Sequence, residues 1–204
     1  MVIFLIVMKI IAVLNRMENS KDIDKYYLDA IKKFGGVPLL IDESNLELIN
    51  ICGGILLTGG DNKGSLDDYL IKYALDNSLP LLGICQGMQS MALYGTGNKL
   101  IETNNHYKVE HYIKLNDSRL KEILGEDRIL VNSYHHSKVI ASKFFDIVAY
   151  SEDGVIEAIE NKNHSFQIGV EWHPERMIDS LISNKIFKSF LNHVSCKYKQ
   201  NRSK

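Results

Sequence analysis

An apolar run, Leu79-Pro80-Leu81-Leu82, passes without a break into Gly83-Ile84-Cys85-Gln86-Gly87, and a helical pattern starts at Gln86. A strand that turns into a helix through G-x-C-x-G has the form of a nucleophile elbow. The reacting side chain of such an elbow sits in strained backbone on a tight turn. Glycine two residues before and after it lets that turn pass close to its neighbours. The helix N-terminus then faces the sulfur, and its partial positive charge favours thiolate over thiol. The plainer reading of a lone cysteine is a small buried hydrophobe. Both flanking glycines and the strand-to-helix context favour Cys85 as a nucleophile.

The rest of the chain repeats this alternation. Ile10–Leu14, Val37–Ile41, Ile55–Thr58 and Leu79–Ile84 read as strands, and Asp24–Phe34, Ser65–Asn77 and Gln86 to about Tyr94 read as helices. Strand and helix in turn, with short links, predict a parallel sheet covered on both faces. The second half changes character. His111–Leu115, Ile129–Val131, Lys138–Ala141, Asp146–Ser151, Val155–Glu160 and Gln167–Glu171 are short, closely spaced strands, several of them antiparallel by their spacing. Asp179–His193 is an amphipathic helix with Leu181, Ile182, Ile186, Phe187 and Phe190 on one side. The expectation is one α/β domain over residues 1–204, with residues 1–8 as an extension before an alternative start at Met8 and 195–204 as a polar tail.

Charge and cysteine usage remove other classes. Lys+Arg total 24 and Asp+Glu 25, so no basic excess is available for a nucleic-acid backbone or an anionic membrane. Cys52, Cys85 and Cys196 are too few and too far apart for a disulfide framework or a CxxC zinc site, which points to a reducing, cytoplasmic compartment. Met1–Leu14 is almost wholly apolar, yet no Lys or Arg precedes it and no small-residue cleavage site follows. It is short of the roughly 20 residues a bilayer needs, and its β-branched content suits a buried parallel strand. The seven histidines show no HExxH-type spacing, so no metal site is expected from them.

A thiolate needs a base, and the base an orienting group. Gly169-Val170-Glu171-Trp172-His173-Pro174-Glu175 follows an apolar strand and offers both, with His173 and Glu175 two apart around a proline. In extended or turn backbone their side chains share a side, so Glu175 accepts from one imidazole nitrogen while the other faces the thiol. Acyl transfer also needs two N–H donors for the oxyanion. Gln86 at the helix start and the Gly59-Gly60-Asp61 turn supply candidates. The turn is not a P-loop, because Gly64 is followed by Ser65 rather than Lys.

These motifs, together with Val131-Asn132-Ser133-Tyr134-His135-His136, resemble the class I glutamine amidotransferase domain from Ile10 to about Phe190. They are more narrowly similar to its γ-glutamyl hydrolase branch, which cleaves γ-glutamyl-γ-aminobutyrate and related conjugates. The resemblance implies a flavodoxin-like three-layer fold and a Cys-His-Glu triad of Cys85, His173 and Glu175. It implies oxyanion N–H groups from Gly60 and Gln86, a glutamyl contact from Gln89, and recognition of the glutamate α-groups by the Ser133-Tyr134 backbone beside His135. It implies no metal and no organic cofactor. Where the branch often has Gln after the His135-His136 pair, this chain has Ser137, on the leaving-group side. The Glu171–Arg176 segment and the short chain are similar to the hydrolase acting on γ-glutamyl-CDP-amidate in capsule phosphoramidate synthesis.

The expected activity is hydrolysis of a small γ-glutamyl amide through a thioester. The alternatives are γ-glutamyl-γ-aminobutyrate hydrolysis, a glutaminase subunit feeding ammonia to a synthase partner, and a non-catalytic relative. The partner is a small molecule, and a homodimer is compatible. Arg16, at the end of the first strand, is a candidate substrate contact, since ligands meet parallel sheets at strand C-termini. His106, His111, Lys63, Lys108, Lys114 and Arg176 are further pocket candidates.

Overall fold

A computed structural model describes residues 8–16, 21–60 and 64–195. In chain order the elements are β1 (Lys9–Leu14), α1 (Lys21–Lys33), β2 (Gly36–Ile41), β3 (Gly54–Leu57), α2 (Ser65–Asp76), β4 (Leu81–Ile84), α3 (Gln86–Leu93), β5 (Ile101–Glu102), β6 (Tyr107–Leu115), α4 (Arg119–Leu124), β7 (Arg128–Tyr134), β8 (Ser137–Lys138), β9 (Asp146–Ser151), β10 (Ile156–Glu160), β11 (Gln167–Val170) and α5 (Leu181–His193). Short 3-10 turns lie at Leu46–Ile51 and Pro174–Met177.

One sheet runs β2-β1-β3-β4-β11-β10-β9-β6-β7. Its first five strands are parallel, in the flavodoxin-like order, with β11 as the fifth. From β10 onward every pairing is antiparallel. The change follows the connections. Helical crossovers return β1 to β4 in one direction, whereas the short link between β9 and β10 permits only reversal.

Residues alternate between two cores. Ile11, Val13, Leu56, Leu82 and Ile84 pack under α1 and α5 with Tyr27, Ile31, Phe187 and Phe190. Ala12, Leu14, Ile55, Leu57 and Leu81 pack under α2 and α3 with Leu70, Ile71, Met88 and Met91. Burial on both faces explains why β3 and β4 are apolar without alternation. The architecture is thus the expected three-layer α/β fold with a mostly parallel sheet and added antiparallel strands.

Some elements differ from the expectation. The run 138–141 contributes only Lys138 to a ladder, in a separate two-stranded sheet of β8 and β5. Helix α4 was not expected. Its six residues are too few to show a period, but its caps are explicit. Ser118 Oγ accepts from Lys121 N–H at 3.1 Å, and Gly125 closes it in left-handed backbone at φ 70°. Leu120 and Leu124 bury its inner side. Residues 1–7, Asp61, Lys63, Cys196 and the tail from 196 lie outside the described residues. Among the described residues no helix is long and apolar enough to cross a membrane.

Candidate active site

β4 delivers Cys85 to the C-terminal edge of the sheet. Cys85 stands at φ 50°, ψ −110°, immediately before α3. Non-glycine backbone in that region costs about 1–3 kcal/mol and persists only where its surroundings impose it. Here they do. Cys85 N–H donates to Val170 O at 2.8 Å, and Cys85 O accepts from Gln89 N–H at 2.9 Å. The flanking glycines are there for close approach. A Cβ on Gly83 would stand 2.5 Å from Met91 Sδ, and one on Gly87 2.3 Å from Leu57 O. The elbow is therefore a packing solution in which strand, helix and the neighbouring β3 nearly touch.

The Gln86 N–H at the helix start favours the thiolate of Cys85. It does not leave a low-pKa thiol. Burial pushes the Cys85 thiol well up, Glu171 and Glu175 push it further, and the Gln86 N–H and Arg176 recover only part. Burial, at 6% exposed, and the neighbouring Glu175 carboxylate favour the neutral thiol at rest, and burial raises Glu171 as well. Iodoacetamide alkylation of Cys85, followed by peptide mass spectrometry, is expected to keep rising above pH 9. A plateau reached near neutrality would contradict this.

β11 carries the second group. It ends at Val170, and Pro174 opens a 3-10 turn that folds Glu175 back onto His173. His173 Nδ1 and Glu175 Oε1 are 2.6 Å apart, both residues buried. The His173 backbone is clamped by one side chain. Asn132 Nδ2 donates to His173 O at 3.0 Å, and His173 N–H donates to Asn132 Oδ1 at 2.8 Å. The ring and Cys85 both come up to Gly59. A Cβ at Gly59 would lie 2.9 Å from Tyr27 Oη, 3.1 Å from His173 Cε1 and 3.6 Å from Cys85 Cβ. Tyr27 Oη in turn accepts from Gly59 N–H at 2.9 Å. Gly59→Ala is expected to press on Tyr27 Oη and on the imidazole and to lower kcat by up to roughly 100-fold, the cost of misplacing a reacting group by about 1 Å. Steady-state kinetics beside a thermal melt checks it, and an unchanged kcat would show that His173 has room to give.

The remaining expected site residues fall into two groups. Gly60 and Gln86 adjoin Gly59 and Cys85 along the chain and Tyr134 stands against His173, while the side chains of Gln89 and Ser133 are held by other residues. Gln89 Nε2 donates to Glu171 Oε1 at 2.5 Å and to Ser137 O at 3.1 Å. Ser133 Oγ donates to His106 O at 2.6 Å. The Tyr134 ring stands edge-on to His173 at 5.8 Å, with the Arg176 guanidinium 4.6 Å over its other side. Arg16 and His135 are turned elsewhere. Arg16 forms a buried two-point ion pair with Asp67 and donates from Nε to Thr58 O at 3.1 Å. Its stem lies across Gly60, where a Cβ would come within 2.5 Å of Arg16 Cδ. The structure thus employs Arg16 in anchoring the Gly60 loop to α2. The His135 ring points inward, with Nδ1 2.9 Å from Ser137 O, and joins His106 and His111 around buried Glu157. Burial lowers the His135 pKa to about 4, so it is neutral near pH 7.

Tyr27, Asn132, Asp67, Glu157 and Glu171 were not singled out as site residues from sequence. Asn132 and Glu171 lie inside the Val131–His136 and Gly169–Glu175 motifs, and Tyr27 reads as an ordinary apolar position of α1.

The Peptidase C26 family model matches residues 63–175, more than half of the chain and a span that includes Cys85, His173 and Glu175. The chain belongs to the Peptidase C26 family. The PB2B2.05 protein of Schizosaccharomyces pombe is 30% identical over 213 residues, covering 85% of this chain and 83% of that one. The gamma-glutamyl-gamma-aminobutyrate hydrolase PuuD of Escherichia coli K12 is 27% identical over 226 residues, 87% of this chain and 89% of its own. A crystal structure of a glutamine amidotransferase from Thermotoga maritima superposes with a TM-score of 0.70 at 15% identity, covering 92% of this chain and 98% of that one. That last likeness shows the fold alone.

Proposed function

We propose that this Peptidase C26 member is a cysteine hydrolase that cleaves the γ-glutamyl amide of a small conjugate and releases glutamate. The observation that carries this is the elbow cysteine beside an imidazole whose far nitrogen is held by Glu175 at 2.6 Å. The hydrolase name of the Escherichia coli relative supports the γ-glutamyl amide as the bond cleaved.

Each residue then has a task. Glu175 accepts the Nδ1 hydrogen of His173, leaving the Nε2 lone pair for the thiol. Because the Cys85 thiol is neutral at rest, its proton passes to His173 as the sulfur attacks the γ-carbonyl carbon. The Gln86 and Gly60 N–H groups receive the oxyanion. His173 gives the proton to the leaving nitrogen, and the C–N bond breaks. Water, losing a proton to His173, attacks the thioester; the C–S bond breaks, glutamate leaves and the thiol is restored. The Ser133-Tyr134 backbone, fixed through Ser133 Oγ on His106 O, takes the glutamate α-groups. Gln89 contacts the glutamyl chain. This is chemistry for the reducing cytoplasm.

A shelf beside His173 supports a nucleotide-bearing leaving group, and so γ-glutamyl-CDP-amidate, over aminobutyrate. Tyr134, exposed Tyr107 and two cations, Arg176 and Lys108, line it. The tyrosine rings are 6.4 Å apart, and Lys108 Nζ is 5.0 Å over Tyr107. An aromatic face and positive charge suit a base and a diphosphate. Glutamate release should be measured on glutamine, γ-glutamyl-γ-aminobutyrate and γ-glutamyl-CDP-amidate. The last is expected to turn over fastest, and Tyr107→Ala to raise its KM roughly 10-fold, an aromatic stacking loss of about 1–2 kcal/mol, with glutamine unaffected. Slow turnover of glutamine alone would instead favour a glutaminase awaiting a synthase partner.

A further inference from the structure

Behind the glutamyl side of the site, three strands and their ends deliver four titratable side chains to one point. His106 precedes β6, His111 lies on β6, His135 follows β7 and Glu157 lies on β10. His106, His135 and Glu157 are 2%, 4% and 0% exposed. His106 Nδ1, His111 Nε2, His135 Nε2 and both Glu157 oxygens are buried without a hydrogen-bond partner. A native interior rarely leaves such atoms unmatched, and five converge here.

Outer hydrogen bonds fix which atoms carry hydrogen. His135 Nδ1 stands 2.9 Å from Ser137 O, and a carbonyl only accepts, so that nitrogen holds the proton and Nε2 presents a lone pair. His106 Nε2 lies 3.0 Å from Asp153 Oδ2, which accepts from it; in the neutral ring the Nδ1 lone pair then faces inward. With neutral rings, lone pairs confront the carboxylate, and a cation seated between them, in place of protons, matches them all. The separations suit one. His111 Nε2, His106 Nδ1 and His135 Nε2 are 3.3, 3.5 and 3.8 Å from Glu157 Oε1. Donors at zinc distances of about 2.0–2.1 Å in a tetrahedron are about 3.3 Å apart. The ligand atoms of His106, His111 and Glu157 all lie within 4.8 Å of one another. Imidazole-rich donors select zinc-like ions over magnesium or calcium. The Asp153–His106 pair has the form of the outer carboxylate that orients a metal-bound histidine.

We propose that His106, His111 and Glu157, with His135 as fourth donor, bind one divalent transition-metal ion of the zinc class. The ion serves as a structural pin. His106 O accepts both Ser133 Oγ at 2.6 Å and His135 N–H at 3.0 Å, so fixing His106 fixes the Ser133-Tyr134 segment. It takes no part in the cysteine chemistry. The resemblance implied no metal, and spacing along the chain could not suggest this one, because Glu157 and His135 join the His106–His111 segment from other strands.

The test is a binding measurement on the full chain. Protein stripped with a chelator and dialysed is titrated with Zn(II) against a chromophoric competitor, and with Co(II) read by its visible ligand-field bands. One equivalent of each is expected, with intense Co(II) bands of a four-coordinate site. His111→Ala, at a side chain only 18% exposed but near the surface, should weaken binding at least 100-fold. Asp153→Asn, at an exposed side chain, should weaken it 10- to 100-fold. Circular dichroism confirms that each variant is folded. Folded wild-type protein that takes up no stoichiometric Zn(II) or Co(II), or a His111→Ala variant that binds as wild type, overturns the site. The cluster would then be held by protons alone, and the reading of Cys85 would stand untouched.

Discussion

Cys85→Ala should abolish glutamate release from every γ-glutamyl conjugate, by on the order of 10⁴-fold or more, as loss of a covalent nucleophile does elsewhere. The loss is expected in kcat, with conjugate binding retained. The glutamyl contacts assigned to Gln89, Ser133 and Tyr134 do not pass through the sulfur. Folding is expected to survive. The strained φ of 50° already accommodates a Cβ, and the elbow hydrogen bonds to Val170 and Gln89 are backbone bonds. Cys85→Ser is an informative companion. A hydroxyl fills the same space, but a buried serine beside Glu171 and Glu175 is far harder to deprotonate than the thiol it replaces. Its rate should lie close to that of the alanine variant. Single-turnover assays with equilibrium binding separate the two quantities. A residual rate within 100-fold of wild type would move the nucleophile away from Cys85. Among the described residues the other cysteine is Cys52, whose Sγ packs on Leu48 O at 3.4 Å in the opposite core.

What the sequence disclosed and what it hid divide by distance along the chain. The elbow is legible because its requirements are local. The two glycines stand two residues from Cys85, and the packing that needs them comes from the strand and helix they join. His173 and Glu175 are legible for the same reason, as their 2.6 Å contact spans two residues. Arg16 was read from its place at a strand end. Its partner Asp67 is 51 residues away, and no local pattern announces a buried pair of that kind. The motif groups His135 with the substrate residues, yet its ring, one residue past the end of β7, lies toward Glu157. Tyr27 occupies a regular apolar position of α1, and only the fold brings its hydroxyl to Gly59. The helix α4 shows the limit from the other side. Its caps were present in Ser118 and Gly125, but six residues give no periodicity to connect them.

Glu175→Gln separates orientation from electrostatics, because its two effects move in opposite directions. The glutamine amide can offer an N–H to His173 Nδ1. The imidazole then carries its hydrogen on Nε2, where the lone pair for the thiol is needed. Substitutions of this kind at an orienting carboxylate cost about 10⁴ in kcat, and a fall of roughly 10³–10⁴ is expected here. The shape of the site is retained. The amide is isosteric, Ser183 Oγ still holds Pro174 O at 2.7 Å, and Asn132 still clamps the His173 backbone. At the same time a negative charge that raises the Cys85 thiol is gone. The alkylation profile of Cys85 should therefore move toward lower pH while turnover collapses. A more easily ionised thiol in a slower enzyme is not the signature of general unfolding, which would expose Cys85 and Cys52 alike. If kcat is unchanged, the Asn132 clamp alone orients His173, and Glu175 belongs to the buried charge balance rather than to the proton path.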